Sequence, residues 1–509
     1  MLDKVKYFRR RQFILGPEFI DYEGWQQLKF CDNVLLTVHP DLTITPVAHE
    51  NNRAILLGYA IDPYQSELND EGILQRFIKG KVTIDTVTDG LEKLSGRFVL
   101  IINCPQGRWL FHDACGLRQV NHFMDKQGNV WCASQPETMA EYFRLQYDEV
   151  ALDFRRAPEY RMTTEDFALI NDSSPFKEIR YLLANHYLDL KTGDVVRFWP
   201  TPNCIGKLSA EKSIELIKPI LQNSIEAAAN RFDLKMGISA GCDSRKSLAA
   251  ARNVKDRIYF FTHTPQEGKE VDAEIPSRLL PKLGIEHHKI DIRQMNKEFE
   301  ELYRASATWA RDRHGHIAYT ALKKFGTEAM VLNSNISEYS QVSYWLPKSH
   351  INGEGLAILK GLNHPIAISD YEKWLKSAYP ACLAANMNVL VFFQLELRSR
   401  WVANTFAECD IAYDSFNPYN NRHLYCVELA VNERSRRGVH RLDFPKKLIK
   451  NMWPEVLQEP INPERGLMAK IQNFILHEII HKTISPWLPI VEYLKYLRAK
   501  KYFHGQCKN

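Results

Sequence analysis

LKMGISAGCDSRKSLAAAR, residues 234–252, decides the fold. The apolar run 234–238 predicts a buried strand. Ser239, Ala240 and Gly241 carry little or no side chain, so a ligand can come close to their backbone. Asp243 and Ser244 stand where a helix N-cap is expected, and residues 246–252 favour helix. A strand, a small-residue loop and a helix start aim backbone N–H groups and the positive end of the helix dipole at one spot. Such a spot suits an anion, most often phosphate. The same residues are also compatible with an ordinary βα turn.

The 509 residues suffice for two or more domains with separate cores. The charged and apolar fractions are those of a globular protein in water. A net charge of +5 on this length makes no case for nucleic acid or an anionic membrane as partner. The ten cysteines are scattered without a CxxC pair, which fits a reduced cytoplasm. No apolar run of about eighteen residues predicts a membrane span. The basic start, MLDKVKYFRRRQFILG, lacks the apolar stretch of a signal peptide.

Residues 1 to about 200 alternate short β-like runs with turns. Strands are expected at 13–15, 34–38, 54–57, 82–84, 98–102 and 109–112, with a helix at 71–79. Residues 179–190 read as either helix or extended chain, and 191–199 as a turn and hairpin strand. The mixture predicts an α+β sandwich. Within it, LSGRFVLII (94–102) followed by LFHDACGLRQVNHF (110–123) resembles the amidotransferase-like domain of the asparagine synthetase family. That domain carries LxGxFAxxI and then RDxxGxRPLYY; GYAIDP (58–63) and Ala133–Ser134 agree more weakly. The family's glutaminase uses an N-terminal cysteine, its own α-amine acting as base. Here Leu2 follows Met1 and the first cysteine is Cys31. The resemblance therefore implies the fold without glutamine hydrolysis. A boundary is expected at 200–206, where Pro, Thr and Gly cluster, giving domains at 1–200 and 207–509.

Beyond it, 208–230 has helical periodicity, RIYFFTH (257–263) reads as a second buried strand, 271–283 as a helix interrupted by Pro276 and Pro281, and HHKIDI (287–292) as a third strand. Such alternation predicts a doubly wound parallel sheet, with ligands at the carboxyl ends of its strands. The order resembles the pyrophosphate-loop ATPases, whose motif SGGxDS stands here as SAGCDS, with Ala240 for a glycine. Alanine fits there only if φ stays negative. The resemblance implies ATP and Mg2+ as cofactors. Ser239, Ala240, Gly241, Asp243 and Ser244 would cradle pyrophosphate, and adenine would lie near Phe261, Thr262 and His263. The acids Asp272 and Glu274 read as helix-dipole partners. MVLNSNISEYSQVSY (330–344) resembles the family's SGxGxDELFGGY metal loop but keeps Ser334 and one acid, Glu338, with Asn335, Ile336 and Ser337 replacing Gly and Asp. Asp243 and Glu338 are the metal candidates.

The remainder, residues 351–509, reads as mainly helical, with helices at 371–384 and 389–404. PYNN (418–421) stands for the family's PFLD-like turn, and HRLDFPKKLIKNMWPEV (440–456) for its basic stretch. Arg400, Arg422, Lys446 and Lys447 are candidates for phosphate or a developing oxyanion; among these, Arg400 and Lys446, with Glu338, form the catalytic expectation. Glu408, Asp410 and Asp414 are candidates to face substrate. HEIIH (477–481) matches a zinc protease motif with Glu478 as base, but no HxxGxxH continuation follows, and only Glu492 and His504 could add a third ligand.

Taken together, the resemblance implies a ligase that adenylates a small-molecule or peptide carboxylate for attack by ammonia or a substrate amine. Its architecture is similar to β-lactam synthetases and lasso-peptide cyclases. A nucleotide-binding relative without catalysis is the alternative. No nucleic-acid or membrane partner is expected, and the sequence leaves room for a homodimer.

Overall fold

The structure is a computed structural model that describes residues 3–463, except 159, 161–168, 265–269, 345 and 363, together with Leu497. The HEIIH motif lies outside the described residues.

Two six-stranded antiparallel sheets come first. One has the order β10-β8-β9-β1-β3-β2, built from β1 (Phe13–Gly16), β2 (Gln26–Cys31), β3 (Val34–Val38), β8 (Asn121–Met124), β9 (Val130–Ala133) and β10 (Arg180–Tyr181). The other has the order β12-β11-β7-β6-β5-β4, built from β4 (Ile44–His49), β5 (Asn52–Ile61), β6 (Ser95–Cys104), β7 (Gly107–His112), β11 (His186–Asp189) and β12 (Val195–Arg197). Side chains alternate across a strand. Ile55, Leu57, Val99 and Ile101 therefore meet Phe13, Leu15, Leu36 and Val38 of the facing sheet. Their neighbours Ala54, Leu56, Phe98 and Leu100 pack under the helices Asp70–Ile78 and Ile84–Glu92. Burial on both faces is why 54–57 and 98–102 read as continuous apolar runs. The helix Pro136–Phe143 covers the outer face of the first sheet through Met139 and Ala140 on Ile14 and Trp131.

The expected strand at 82–84 is instead a helix start. Thr83 caps it, with Thr86 completing a capping box, and this local hydrogen bonding prevails over the β-branched composition. Residues 179–190, ambiguous in sequence, are extended and contribute β10 and β11.

The third sheet is parallel throughout, in the order β15-β14-β13-β16-β17: β13 (Leu234–Gly237), β14 (Tyr259–Thr264), β15 (His288–Asp291), β16 (Met330–Leu332) and β17 (Asp414–Phe416). The chain runs outward from β13 to β15, then crosses back to place β16 on the other side of β13. The direction of winding thus reverses at β13, the position where sheets of this kind form a ligand crevice at the carboxyl ends of their strands, between the loops that follow β13 and β16. Helices Ala210–Arg231, Cys242–Ala250 and Val271–Lys282 cover one face, with Ile217, Leu248 and Leu279 against Leu234, Met236 and Phe260. Helices Lys297–Ser306 and Asp312–Phe325 cover the other. The helix Val271–Lys282 runs through both Pro276 and Pro281, where an interruption was expected. Long helices Pro365–Ala384 and Val389–Cys409 complete a helical C-terminal part. No helix among the described residues is long and apolar enough to cross a membrane.

Charged groups join the antiparallel and parallel parts. Arg97 donates to both oxygens of Asp410, at 2.5 and 2.7 Å, and to Asp414 at 2.7 Å, and Arg118 reaches Asp414 at 2.8 Å. All four residues are buried or nearly so.

Candidate functional site

The crevice is floored by the 238–243 loop. Gly241 is the N-cap of the helix Cys242–Ala250, and no side chain caps its first turn. Asp243 and Ser244, expected at the cap, lie inside the first turn instead. The first-turn N–H groups therefore have no side-chain acceptor, the condition under which a helix start receives an external anion. Gly241 has φ −71°, and Ala240 is not among the residues with positive φ. Alanine consequently fits the loop without strain. Ser239 and Ser244 brace the loop from within: the Ser239 N–H donates to Ser244 Oγ, and the Gly241 N–H to Ser239 Oγ, each at 3.1 Å. The Ala240 N–H donates to Asp272 Oδ1 at 3.1 Å, so this acid does more than face its own helix dipole.

The 333–338 loop forms the facing wall. Ile336 has φ +66°, a strained conformation for a β-branched residue, and its side chain is buried in the core. The turn it makes brings the Ser337 hydroxyl onto Asp243, to which it donates. Asp243 and Glu338 are close enough to repel. Burial raises the Glu338 pKa, the Asp243 charge raises it further, and Arg398, paired with Glu338 at 3.1 Å, only partly offsets this.

Lys246, one turn after Asp243, was not singled out in the sequence, where it reads as a helix-favouring residue. It is buried; its Nζ donates to Ser337 O at 2.7 Å and lies 3.5 Å from Asp243 Oδ1 and 5.1 Å from the centre of the Tyr419 ring. Burial alone would lower its pKa, but Asp243, Tyr419 and Glu428 outweigh that and raise it, so it is an ammonium ion. A hint was available: Lys246 and Asp243 are three residues apart on a helix, the spacing of facing charges.

A strap from the C-terminal side closes the loop's flank. The Asn462 N–H donates to Ala240 O at 3.0 Å. Arg245 donates to the carbonyls of Val456, Glu459 and Pro460 at 2.8, 3.1 and 3.0 Å, while Arg278 and Lys282 hold the Glu459 carboxylate.

The β14 candidates line the edge of this site with backbone and bracing contacts. The Phe261 ring packs into the core on the opposite face of the sheet, and its carbonyl accepts the Ile238 N–H at 2.8 Å. Thr262 Oγ1 donates to Ile238 O at 2.6 Å, fixing the strand that leads into the loop. Burial lowers the His263 pKa to about 4, which keeps it neutral near pH 7.

Several charged candidates have other employment. Arg400 donates to the carbonyls of Asn171 and Ser173 and lies over the Tyr181 ring, in the wall of a cavity of about 30 Å3 between the first sheet and the long helix Val389–Cys409. Arg422 is buried on Asn185 Oδ1 and Phe198. Glu408 is held by Arg311 and His314, and Asp410 and Asp414 by Arg97 and Arg118, so none of these acids faces the crevice as an open carboxylate. Each is polar because it joins elements far apart in sequence, a purpose that local pattern does not reveal. Lys447 pairs with Glu211 at the surface. Lys446 is exposed on the helix Asp443–Met452, and its charge is felt by the Cys242 thiol.

Among the described residues no cluster of three or more His, Cys, Asp or Glu could hold a metal. Asp243 and Glu338 alone do not make a metal cage. They do fit one Mg2+ brought in on phosphate oxygens, since such ions need only one or two carboxylates from the protein.

No known family profile matches this chain, and no curated protein does. Solved structures with partial likeness include NMN synthetase from Francisella tularensis, 14% identical over 34% of this chain and 74% of that one, with a TM-score of 0.19. Glutamine-dependent NAD+ synthetase from Acinetobacter baumannii, in complex with ADP, is 16% identical over 43% of this chain and 40% of its own, with a TM-score of 0.20. Glutamine phosphoribosylpyrophosphate amidotransferase from B. subtilis is 9% identical over 66% and 74%, with a TM-score of 0.24. Likeness this loose carries no argument about reaction or ligand.

Proposed function

We propose that this chain is an ATP-dependent, amide-forming ligase of the asparagine synthetase type. Residues 1–200 would be an amidotransferase-like domain without its nucleophile, and 207–509 the ATP-binding half. The observation that carries this reading is the helix start at Gly241, which no side chain caps, at the point where the sheet changes its winding direction, with Asp243 in its first turn and Glu338 within electrostatic reach of Asp243.

On this reading the first-turn N–H groups of residues 242–244, at the end of the 239–241 loop, hold the β- and γ-phosphates of ATP. A substrate carboxylate oxygen bonds to the α-phosphorus as the bond from that phosphorus to the bridging oxygen breaks, releasing pyrophosphate. An amine then forms a bond to the carbonyl carbon, AMP leaves, and the amine gives up a proton. Glu338, its pKa raised by burial and by Asp243, suits the proton acceptor. Lys446, exposed near the helix start, suits the outer phosphates. Mg2+, when bound on the phosphates, would offset their charge, with Asp243 as its protein ligand and Glu338 left to accept the proton.

The nitrogen would come from ammonia or a substrate amine. Residues 9–12, which lead into β1, are buried. They donate to main-chain oxygens of Ala305, Thr327, Asp410 and Ser306, which ties this segment to the parallel-sheet part. The test is exchange of labelled pyrophosphate into ATP with a panel of carboxylates. Exchange with any of them supports the ligase. A second reading, a nucleotide-binding protein without catalysis, is favoured by the pairing of both acids with fixed cations; ATP binding without exchange across the panel would select it.

A further inference from the structure

Two cations are built into the wall of the crevice. Lys246 is buried against Asp243, Ser337 O and the Tyr419 ring, and Arg398 sits on Glu338. A third acid, Glu428, is also buried beside Lys246. Asp243 also receives the Ser337 hydroxyl. Both carboxylates that could recruit a divalent ion thus already hold a cation supplied by the chain. A buried ammonium cannot diffuse away, and its field is screened less than that of a surface lysine. Shared with Asp243, it would stand as a permanent counter-ion to phosphates at the loop.

We propose that Lys246, seconded by Arg398, takes the charge-compensating part that a divalent ion would otherwise play in ligand binding, so that this site binds nucleoside triphosphates without requiring a metal. The inference rests on the nucleotide reading above and adds to it the metal dependence of binding. It concerns affinity alone; an ion carried on the phosphates remains free to act in the reaction. The alternative use of Lys246 is structural: neutralising Asp243 and fastening the 333–338 loop to the helix, with no effect on what binds.

The full chain would be titrated calorimetrically with α,β-methylene ATP, which cannot be cleaved between the α- and β-phosphates, in excess Mg2+ and in excess EDTA. The expected dissociation constants differ by less than about threefold. In Lys246→Met, EDTA should weaken binding by about tenfold or more, with Mg2+ recovering most of the loss. Lys246→Arg, which keeps the charge, should restore metal independence. Wild-type binding that weakens more than tenfold in EDTA overturns the proposal. So does a Lys246→Met protein that melts earlier but keeps the wild-type ratio, since that is the structural role. Should Lys246→Met not fold, Arg398→Met provides the same comparison, and the wild-type ratio decides without either. Absence of binding in both media would instead sink the nucleotide reading, and the inference with it.

Discussion

Asp272 Oδ1 accepts the backbone N–H of Ala240 at 3.1 Å, so a carboxylate oxygen already sits on a donor of the 238–243 loop. The two residues are 32 positions apart, joined because the helix Val271–Lys282 starts beside the loop. The loop thus accepts an anion in the structure itself. The carboxylate also opposes the negative phosphates of an incoming nucleotide. Asp272→Asn keeps an oxygen for the hydrogen bond and removes the charge. It is expected to tighten ATP binding by about fivefold, the effect of one like charge at moderate distance near a surface, and to leave Tm nearly unchanged. Isothermal titration of both proteins at equal ionic strength checks this. Equal binding would show that the charge does not reach the ligand, and weaker binding that it serves the ligand.

Arg245 gives the second prediction. Its guanidinium makes three hydrogen bonds to carbonyls of the 456–460 segment and is buried, which lowers its pKa to about 10, still well above neutrality. Arg245→Ala leaves those carbonyls without their donors and opens a void behind the loop. The expected loss is about 2–4 kcal/mol of stability. Limited proteolysis should then cut between 454 and 463 faster than in the wild type. An unchanged digestion pattern would mean that Arg278 and Lys282 hold the strap through Glu459 without Arg245.

Where the sequence was legible, one element carried its own pattern. The run at 234–238, the small residues at 239–241 and the helix behind them announced the βα unit at the crevice, and the alternating chain around it announced a parallel sheet. The apolar runs of β5 and β6 were equally plain, because burial on both faces leaves no polar alternation to read. What stayed hidden depends on distant partners. Asp410 and Asp414 look like substrate acids until Arg97 and Arg118 arrive from more than 290 residues away. Ile336 offers no sign that its φ is positive, since nothing local favours that conformation for isoleucine and only the fold imposes it. Lys246 resembles any helix lysine until Ser337 and Tyr419 close over it.

The junction of the two parts supplies the third prediction. Arg97→Met removes four charge-assisted hydrogen bonds, three to the carboxylates and one to Leu117 O, and leaves Asp410 and Asp414 to share Arg118. Uncompensated buried carboxylates are costly, and the expected destabilisation is about 3–5 kcal/mol. Arg97→Met combined with Asp410→Leu removes one of the stranded charges and should recover about half of that loss. Urea denaturation of wild type, single and double variants measures both. If the double variant is less stable than the single one, the ion network stabilises the junction through more than charge pairing.

His39 sets a pH dependence. It is buried, its Nδ1 accepts the Asp41 N–H at 3.0 Å, and its Nε2 lies 3.0 Å from Lys6 O, to which it donates. This arrangement requires the neutral ring. Burial lowers the pKa from 6.5 to about 4; Asp41 and the Lys6 carbonyl oppose the fall, and Arg10 and Arg11 add to it. An unfolded chain protonates His39 as pH drops through 6.5, whereas the folded chain does so only near 4. Between these values the unfolded state holds the extra proton, so stability falls as pH falls, and the contribution is flat above and below that window. From about pH 7.5 to about pH 5, His39 should account for a loss of about 2 kcal/mol. His39→Asn, which does not titrate, should lose stability at neutral pH but show a shallower decline across the window. Urea unfolding at both pH values for both proteins provides the comparison. Parallel declines in the two would assign the acid sensitivity to other histidines, such as half-buried His122 and buried His186, whose pKa values desolvation also lowers to about 4.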